Sequence, residues 1–143
     1  MTEAAKAARR IQIQRELSLL RNRRHDSISE RNRMNAQIDD LSRARNQLHD
    51  CLSSMSDIRR KVRDCHNVVD QRDFKGNRRR EIESRLNSAS ERVNAQRNRH
   101  VENRDRIIRQ IETLRARRDS VNGTINTQNA RITALEAELR NLW

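Results

Sequence analysis

The amino-acid sequence predicts an all-α fold, a long antiparallel helical hairpin of the coiled-coil type that is bent near residues 73–77. Three observations predict it. Apolar residues recur at coiled-coil spacing in both halves of the chain. The 143 residues include no Pro, and only 33% are apolar, which is too few for an ordinary globular core but enough for a seam between helices. A Gly near the middle separates the two helical stretches.

The first arm of the hairpin is predicted over residues 3–72. Alternating steps of four and three residues from Ile13 to Val69 meet 17 positions, and 11 of them are apolar, which is the period of a coiled coil. The polar interruptions are Arg24, Ser27, Arg31, Arg45, Arg59 and His66. We expect them to lower stability and to help determine register or partner choice. Residues 53–57 are rich in capping residues but are predicted to be helical, because the series continues through them unshifted.

The turn is predicted at residues 73–77, where Phe74, Gly76 and Asn77 form its motif. A helix end often needs a residue with positive φ, which Gly adopts at little steric cost and Asn tolerates better than most residues. If Phe74 caps the open end of a bundle, replacing it with Ala should cost a few kcal/mol of stability.

Charged residues flank the turn with signs that oppose the helix dipoles. Asp70 and Asp73 lie near the end of the first arm, and the second arm begins with a basic patch, Arg78, Arg79 and Arg80. Two interpretations stay open. The two groups neutralise each other at a solvated tip, or the basic patch serves a partner.

The second arm is predicted over residues 78–142. Its seam begins with Ile82, Leu86, Ala89 and Val93, and continues through Gln96, His100, Asn103 and Ile107. A clearer series then runs to Leu142, with nine of 11 positions apolar when Ile107 is counted. The change of step near Ile107 predicts a stutter, a local unwinding of the supercoil. Gly123 is predicted to be helical although it costs about 1 kcal/mol relative to Ala.

The charge indicates an acidic partner surface. The formal net charge is +12, and each half of the chain has 16 basic and 10 acidic residues, so neither half is a basic tail. Arg supplies 29 of the 32 basic residues, which favours bidentate contacts with carboxylates or phosphates. Mixed charge at this level is also found in disordered chains, but sustained heptad spacing favours ordered helices.

The sequence contains no pattern that predicts catalysis or metal binding. It has no phosphate-binding Gly-rich loop, no nucleophile elbow and no HExxH pair. Cys51 and Cys65 are two heptads apart on one helix, so they cannot bond to each other. They are expected to be free thiols, with a disulfide between chains as the alternative. No cofactor is implied. Neither a cleavable signal peptide nor a membrane span is visible.

Long heptad arms that meet at Phe74, Lys75 and Gly76 resemble the small helical-hairpin proteins encoded beside LXG-domain toxins of the type VII secretion system. Those proteins are similar to the WXG hairpins, in which an aromatic residue, any residue and Gly form the bend. The resemblance implies a bacterial, cytoplasmic, chaperone-like targeting protein. Its partner would be the helical N-terminal region of the toxin, often with a second small helical protein. Secretion together with the toxin, without a cleaved signal peptide, is a further option.

We therefore expect a non-enzymatic protein that binds a helical partner by adding helices to it. The seam residues expected to matter most are Leu41, Leu48, Leu52, Leu114, Ile125, Leu135 and Leu139. Two alternatives stay open. Several copies of the chain could supply the missing helices, which would make it a self-assembling coiled coil. The arginines could instead bind phosphates, although the sequence lacks the aromatic residues that stack on single-stranded bases.

Overall fold

The computed structural model describes residues 1–71 and 75–143, which form two long helices. Helix α1 spans Glu3–Gln71 and helix α2 spans Gly76–Asn141. The two helices pack against each other, so the predicted all-α helical hairpin is confirmed. Helix α1 continues through residues 53–57 and α2 continues through Gly123, as the unshifted heptad series predicted.

Local chemistry explains where the helices begin. The hydroxyl of Thr2 accepts a hydrogen bond from the backbone N–H of Ala5 at 3.2 Å, which satisfies one of the free N–H groups of the first turn of α1. Gly76 has a φ of +70°, a conformation that is strained for any residue with a Cβ atom. Helix α2 starts at this Gly, so Gly76 and Asn77 belong to the helix. Phe74 and Asp73 lie outside the described residues.

The chain divides into two units, which we describe separately. Unit 1 comprises Met1–Asp39 and Glu112–Trp143, and unit 2 comprises Asp40–Ile111. The core of unit 1 is a cluster of four buried residues, Ile13, Leu17, Ile132 and Leu135, against which Leu20, Leu139 and Leu142 pack. Ile38, Leu114 and Ile125 are also buried in this unit. Because these residues come from both helices, burial of the apolar stripes holds the unit together.

The seam of α1 follows the predicted series, and each of its positions except Arg59 is buried or half-buried. The prediction for α2 was wrong at Gln96 and Asn103, which are exposed. Arg97 and Arg104, one residue further on, are half-buried instead. Long Arg side chains can cover apolar surface with their stems while the guanidinium stays in water.

This change of phase moves the extra four-residue step from Ile107 to Leu86, because half-buried Ile82 lies four residues before Leu86 and half-buried Ser90 lies four residues after it. One uninterrupted series of four-residue and three-residue steps is buried or half-buried throughout: Leu86, Ser90, Val93, Arg97, His100, Arg104, Ile107 and Ile111. From Leu86 to Ile111 the steps alternate between four and three residues, so this stretch contains no stutter.

Candidate partner-binding site

The apolar seam of unit 1 is used inside the hairpin. Leu114 and Ile125 are each 5% exposed, and Leu135 is fully buried. Leu139 is half-buried and packs on the same core. These four predicted seam residues therefore stabilise the hairpin itself, and a partner could reach the three buried side chains only if the helices separated.

Ion pairs join the two helices along the edges of this seam. Arg9 donates two hydrogen bonds to Glu138, from Nε at 2.6 Å and from Nη2 at 2.9 Å. Arg131 contacts Glu16 at 2.8 Å, and Arg21 contacts Glu136 at 2.7 Å. The hydrogen bonds with Glu138 raise the pKa of Arg9, and those with Arg9 lower the pKa of Glu138, although partial burial opposes both shifts. Both groups are therefore charged at neutral pH.

Arg10 contacts the last residues of the chain. Its Nε donates to the backbone carbonyl of Leu142 at 2.9 Å, and its Nη2 contacts the same oxygen. The guanidinium carbon lies 4.4 Å from the centre of the Trp143 ring, which is a cation–π contact. Carbonyls at the C-terminal end of a helix have no partner within the helix, so Arg10 of α1 satisfies one just beyond the end of α2.

Most polar interruptions of the unit 1 seam meet polar partners on the opposite helix. Arg24 donates to Asn129 at 3.0 Å, and Gln128 donates to Ser27 at 3.3 Å. The Gln128 Oε1 atom is buried and has no hydrogen-bond partner among the described residues. Unit 1 thus closes its seam with apolar contacts in the core and with paired polar groups elsewhere.

Unit 2 has a much thinner apolar core. In its described part, residues 40–71 and 75–111, the buried hydrophobic residues are Leu52, Val69 and Ile111. The predicted seam residues Leu41 and Leu48 are half-buried. His100 occupies a seam position, and its Nδ1 atom is buried without a hydrogen-bond partner in the same part of the chain.

Two open clefts lie between the helices of unit 2, with volumes of about 470 Å³ and about 370 Å³. The first is lined by Ser56, Arg59, Arg60, Val62, Arg63, His66, Ser90, Val93 and Asn94. The second is lined by His49, Leu52, Ser53, Ser56, Arg97, Val101 and Arg104. Because both clefts share Ser56, we treat them as one feature, the basic groove. Its walls combine Arg and His side chains with Val and Leu.

The basic groove contains arginines that are not neutralised. Arg59, Arg63 and Arg97 make no ion pair and no hydrogen bond within residues 1–71 and 75–143. Arg60 pairs with Asp57 at 3.2 Å, and Arg104 contacts Asp105 at 3.4 Å. Among the described lining residues there is no carboxylate. The groove can therefore accept carboxylate or phosphate oxygens without displacing a partner from those three arginines.

The basic patch near the turn is partly neutralised. Arg79 contacts Asp70 of α1 at 3.2 Å and Glu83 of its own helix at 2.9 Å. Arg78 and Arg80 are exposed. The geometry at Arg79 therefore supports the interpretation that acidic and basic residues neutralise each other across the hairpin.

Other candidate chemistry is limited in the described residues. Cys51 and Cys65 are free and exposed. Residues 1–71 and 75–143 contain no group of three or more His, Cys, Asp or Glu side chains that could hold a metal ion. No helix in the same ranges is long and apolar enough to cross a membrane.

Sequence reasoning missed the inward position of Arg97 and Arg104 and the contact between Arg10 and the chain end. The signal for the first was present, because an unshifted heptad count backward from Ile111 meets both arginines. The prediction instead placed Gln96 and Asn103 in the seam. No signal in the sequence could have shown the second, since Arg10 and Trp143 meet only when the hairpin closes.

No family model, curated protein or solved structure matches this chain.

Proposed function

We propose that this protein is a non-enzymatic binding protein that completes a helical bundle with another helical protein. The observation that carries the proposal is the thin core of unit 2, where the described part has three buried hydrophobic residues and an open groove between the helices. Two helices with a narrow contact are stabilised when further helices bury the remaining apolar surface.

The resemblance to hairpin proteins encoded beside LXG-domain toxins supplies the first candidate for the partner. That partner is the helical N-terminal region of such a toxin, alone or with a second small helical protein. The protein would then act as a chaperone-like targeting factor in the bacterial cytoplasm, with secretion alongside the toxin as an extension of the same role.

Co-expression with the proteins encoded next to it tests this function. The complex should be purified through an affinity tag on this chain in about 0.5 M salt, which suppresses nonspecific charge pairing. Light scattering coupled to gel filtration then gives the stoichiometry. Stable recovery of a protein with a long helical N-terminal region would support the proposal.

Two other outcomes would favour the alternatives. If the chain is recovered alone as a stable homo-oligomer, the self-assembling coiled coil replaces the partner-binding function. If no protein partner is found, and a separate purification at low salt recovers nucleic acid that is lost steeply as salt rises towards physiological concentration, a phosphate-binding role replaces it.

A further inference from the structure

We infer that the basic groove of unit 2 is the docking surface for a partner helix that carries carboxylate side chains beside an apolar stripe. The inference rests on the proposed function and adds to it the place where the partner binds and the chemistry of the partner surface.

The charge of the groove is the first argument. In unit 1 the arginines Arg9, Arg21 and Arg131 each pair with a Glu of the opposite helix. In the groove, Arg59 and Arg63 have no such pair in the described residues. Three arginines of unit 1 are thus neutralised across the helices, whereas Arg59 and Arg63 are available to carboxylates from outside.

The apolar wall of the groove decides between a helix and a nucleic acid. Val62, Val93 and Val101 are half-buried lining residues, and they would be covered by an apolar stripe of a docked helix. A phosphate backbone would leave them uncovered, and the described lining has no Phe, Tyr or Trp side chain on which a base could stack.

The spacing of the arginines predicts the spacing of the partner carboxylates. Arg59 and Arg63 are four residues apart on α1, and Arg97 and Arg104 are seven residues apart on α2, so each pair shares a helix face. A partner helix can meet such pairs with Asp or Glu at intervals of three, four or seven residues.

The test uses designed peptides as probes of the full-length protein. One amphipathic peptide of about four heptads carries Leu at the seam positions and Glu on both flanks of the seam. A second peptide has Gln in place of every Glu. The groove variant is R59E/R63E, and the matched control is R92E/R99E, which makes the same charge change at exposed residues of unit 2 outside the groove. Because all four arginines are exposed, circular dichroism and Tm should show that both variants fold like the wild type.

We expect the Glu peptide to bind the wild type at least about tenfold more tightly than the Gln peptide, since complementary charge steers and holds the complex. R59E/R63E should lose at least about tenfold in affinity for the Glu peptide, and R92E/R99E should lose less than about threefold. Equal binding of the two peptides, or equal losses in the two variants, would overturn the inference. The inference would also be overturned if a DNA duplex bound the wild type more tightly than the Glu peptide at about 0.15 M salt and lost affinity in R59E/R63E.

Failure of this inference can be told apart from failure of the proposed function. The function is tested by co-purification of a helical protein, which requires no particular docking surface. If such a protein co-purifies equally well with the wild type and with R59E/R63E, the groove assignment is wrong and the function stands.

Discussion

Arg10 combines two contacts at the end of unit 1, a hydrogen bond to the Leu142 carbonyl and a cation–π contact with Trp143. Each contact links α1 to residues at or beyond the end of α2, where backbone carbonyls lack partners within the helix. A single side chain thus reduces fraying at this end of the hairpin.

Arg10→Ala should lower the free energy of unfolding by about 1 kcal/mol, because it removes both contacts. Trp143→Ala removes the ring alone and should cost less. The free energies come from chemical denaturation followed by circular dichroism. Trp143→Ala should cause no further loss in the free energy of unfolding in a protein that already carries Arg10→Ala. Arg23→Ala is the control, since Arg23 is exposed. An equal loss in the control would contradict the assigned role.

The pair formed by Arg9 and Glu138 makes stability depend on pH. The pKa of Glu138 is lower in the folded protein than in the unfolded chain, so its contribution is present above its unfolded pKa of about 4.3. The contribution is lost as pH falls through the lower, folded pKa. At neutral pH the pair therefore contributes in full.

Glu138→Gln should lower Tm at pH 7, and the difference from the wild type should narrow as pH falls below about 4. Thermal unfolding by circular dichroism across that range measures the difference. The control is Glu102→Gln, at an exposed residue that makes no ion pair with the described residues. A difference that stays constant down to low pH would show that the pair does not contribute through its charge.

At the scale of the helix, the two glycines of α2 have opposite effects on stability. Gly76 begins the helix with a φ of +70°, a conformation that L-residues rarely adopt. Gly123 lies inside the helix, and a Cβ added there would meet nothing within 4 Å. The first glycine is needed for its conformation, whereas the second lowers helix stability.

Gly76→Ala should destabilise the hairpin by about 1 kcal/mol, because Ala is strained at that φ. Gly123→Ala should stabilise it by about 1 kcal/mol, because Ala has the higher helix propensity. Denaturant unfolding of the two variants measures both effects, and each serves as the control for the other. The same sign for both substitutions would contradict the assignment.

For the whole molecule, the two units differ in how completely their seams are closed. Unit 1 has seven buried hydrophobic residues among those described, and cross-helix ion pairs flank them. The described part of unit 2 has three, with the basic groove beside them. Local opening costs less free energy where fewer apolar groups are buried.

Backbone amides of residues 40–71 and 75–111 should therefore exchange with deuterium faster than those of residues 1–39 and 112–143 in the isolated protein. Mass spectrometry of peptic peptides measures this difference. A bound helical partner should slow exchange mainly in the first two ranges, since docking would bury their apolar side chains. If these ranges exchanged more slowly than unit 1 in the free protein, the conclusion that unit 2 opens more easily would be contradicted.

Composition and heptad spacing were sufficient to predict the all-α hairpin and most of its seam. A stripe of period 3.5 has one low-energy arrangement, in which it faces another stripe, and Gly near the centre permits the bend between the helices. The periodicity also predicted that α1 and α2 would continue through residues 53–57 and Gly123. These properties depend on the spacing of apolar residues along the chain, which can be read from the sequence.

Only the tertiary structure decided which arginines are neutralised. Arg97 has no ion pair within the described residues, whereas Arg9 pairs with Glu138, although both are half-buried arginines. The difference arises because pairing depends on which residue of the opposite helix lies alongside, a relation set when the hairpin closes. The basic groove likewise exists only where seam residues from both helices fail to fill the space between them.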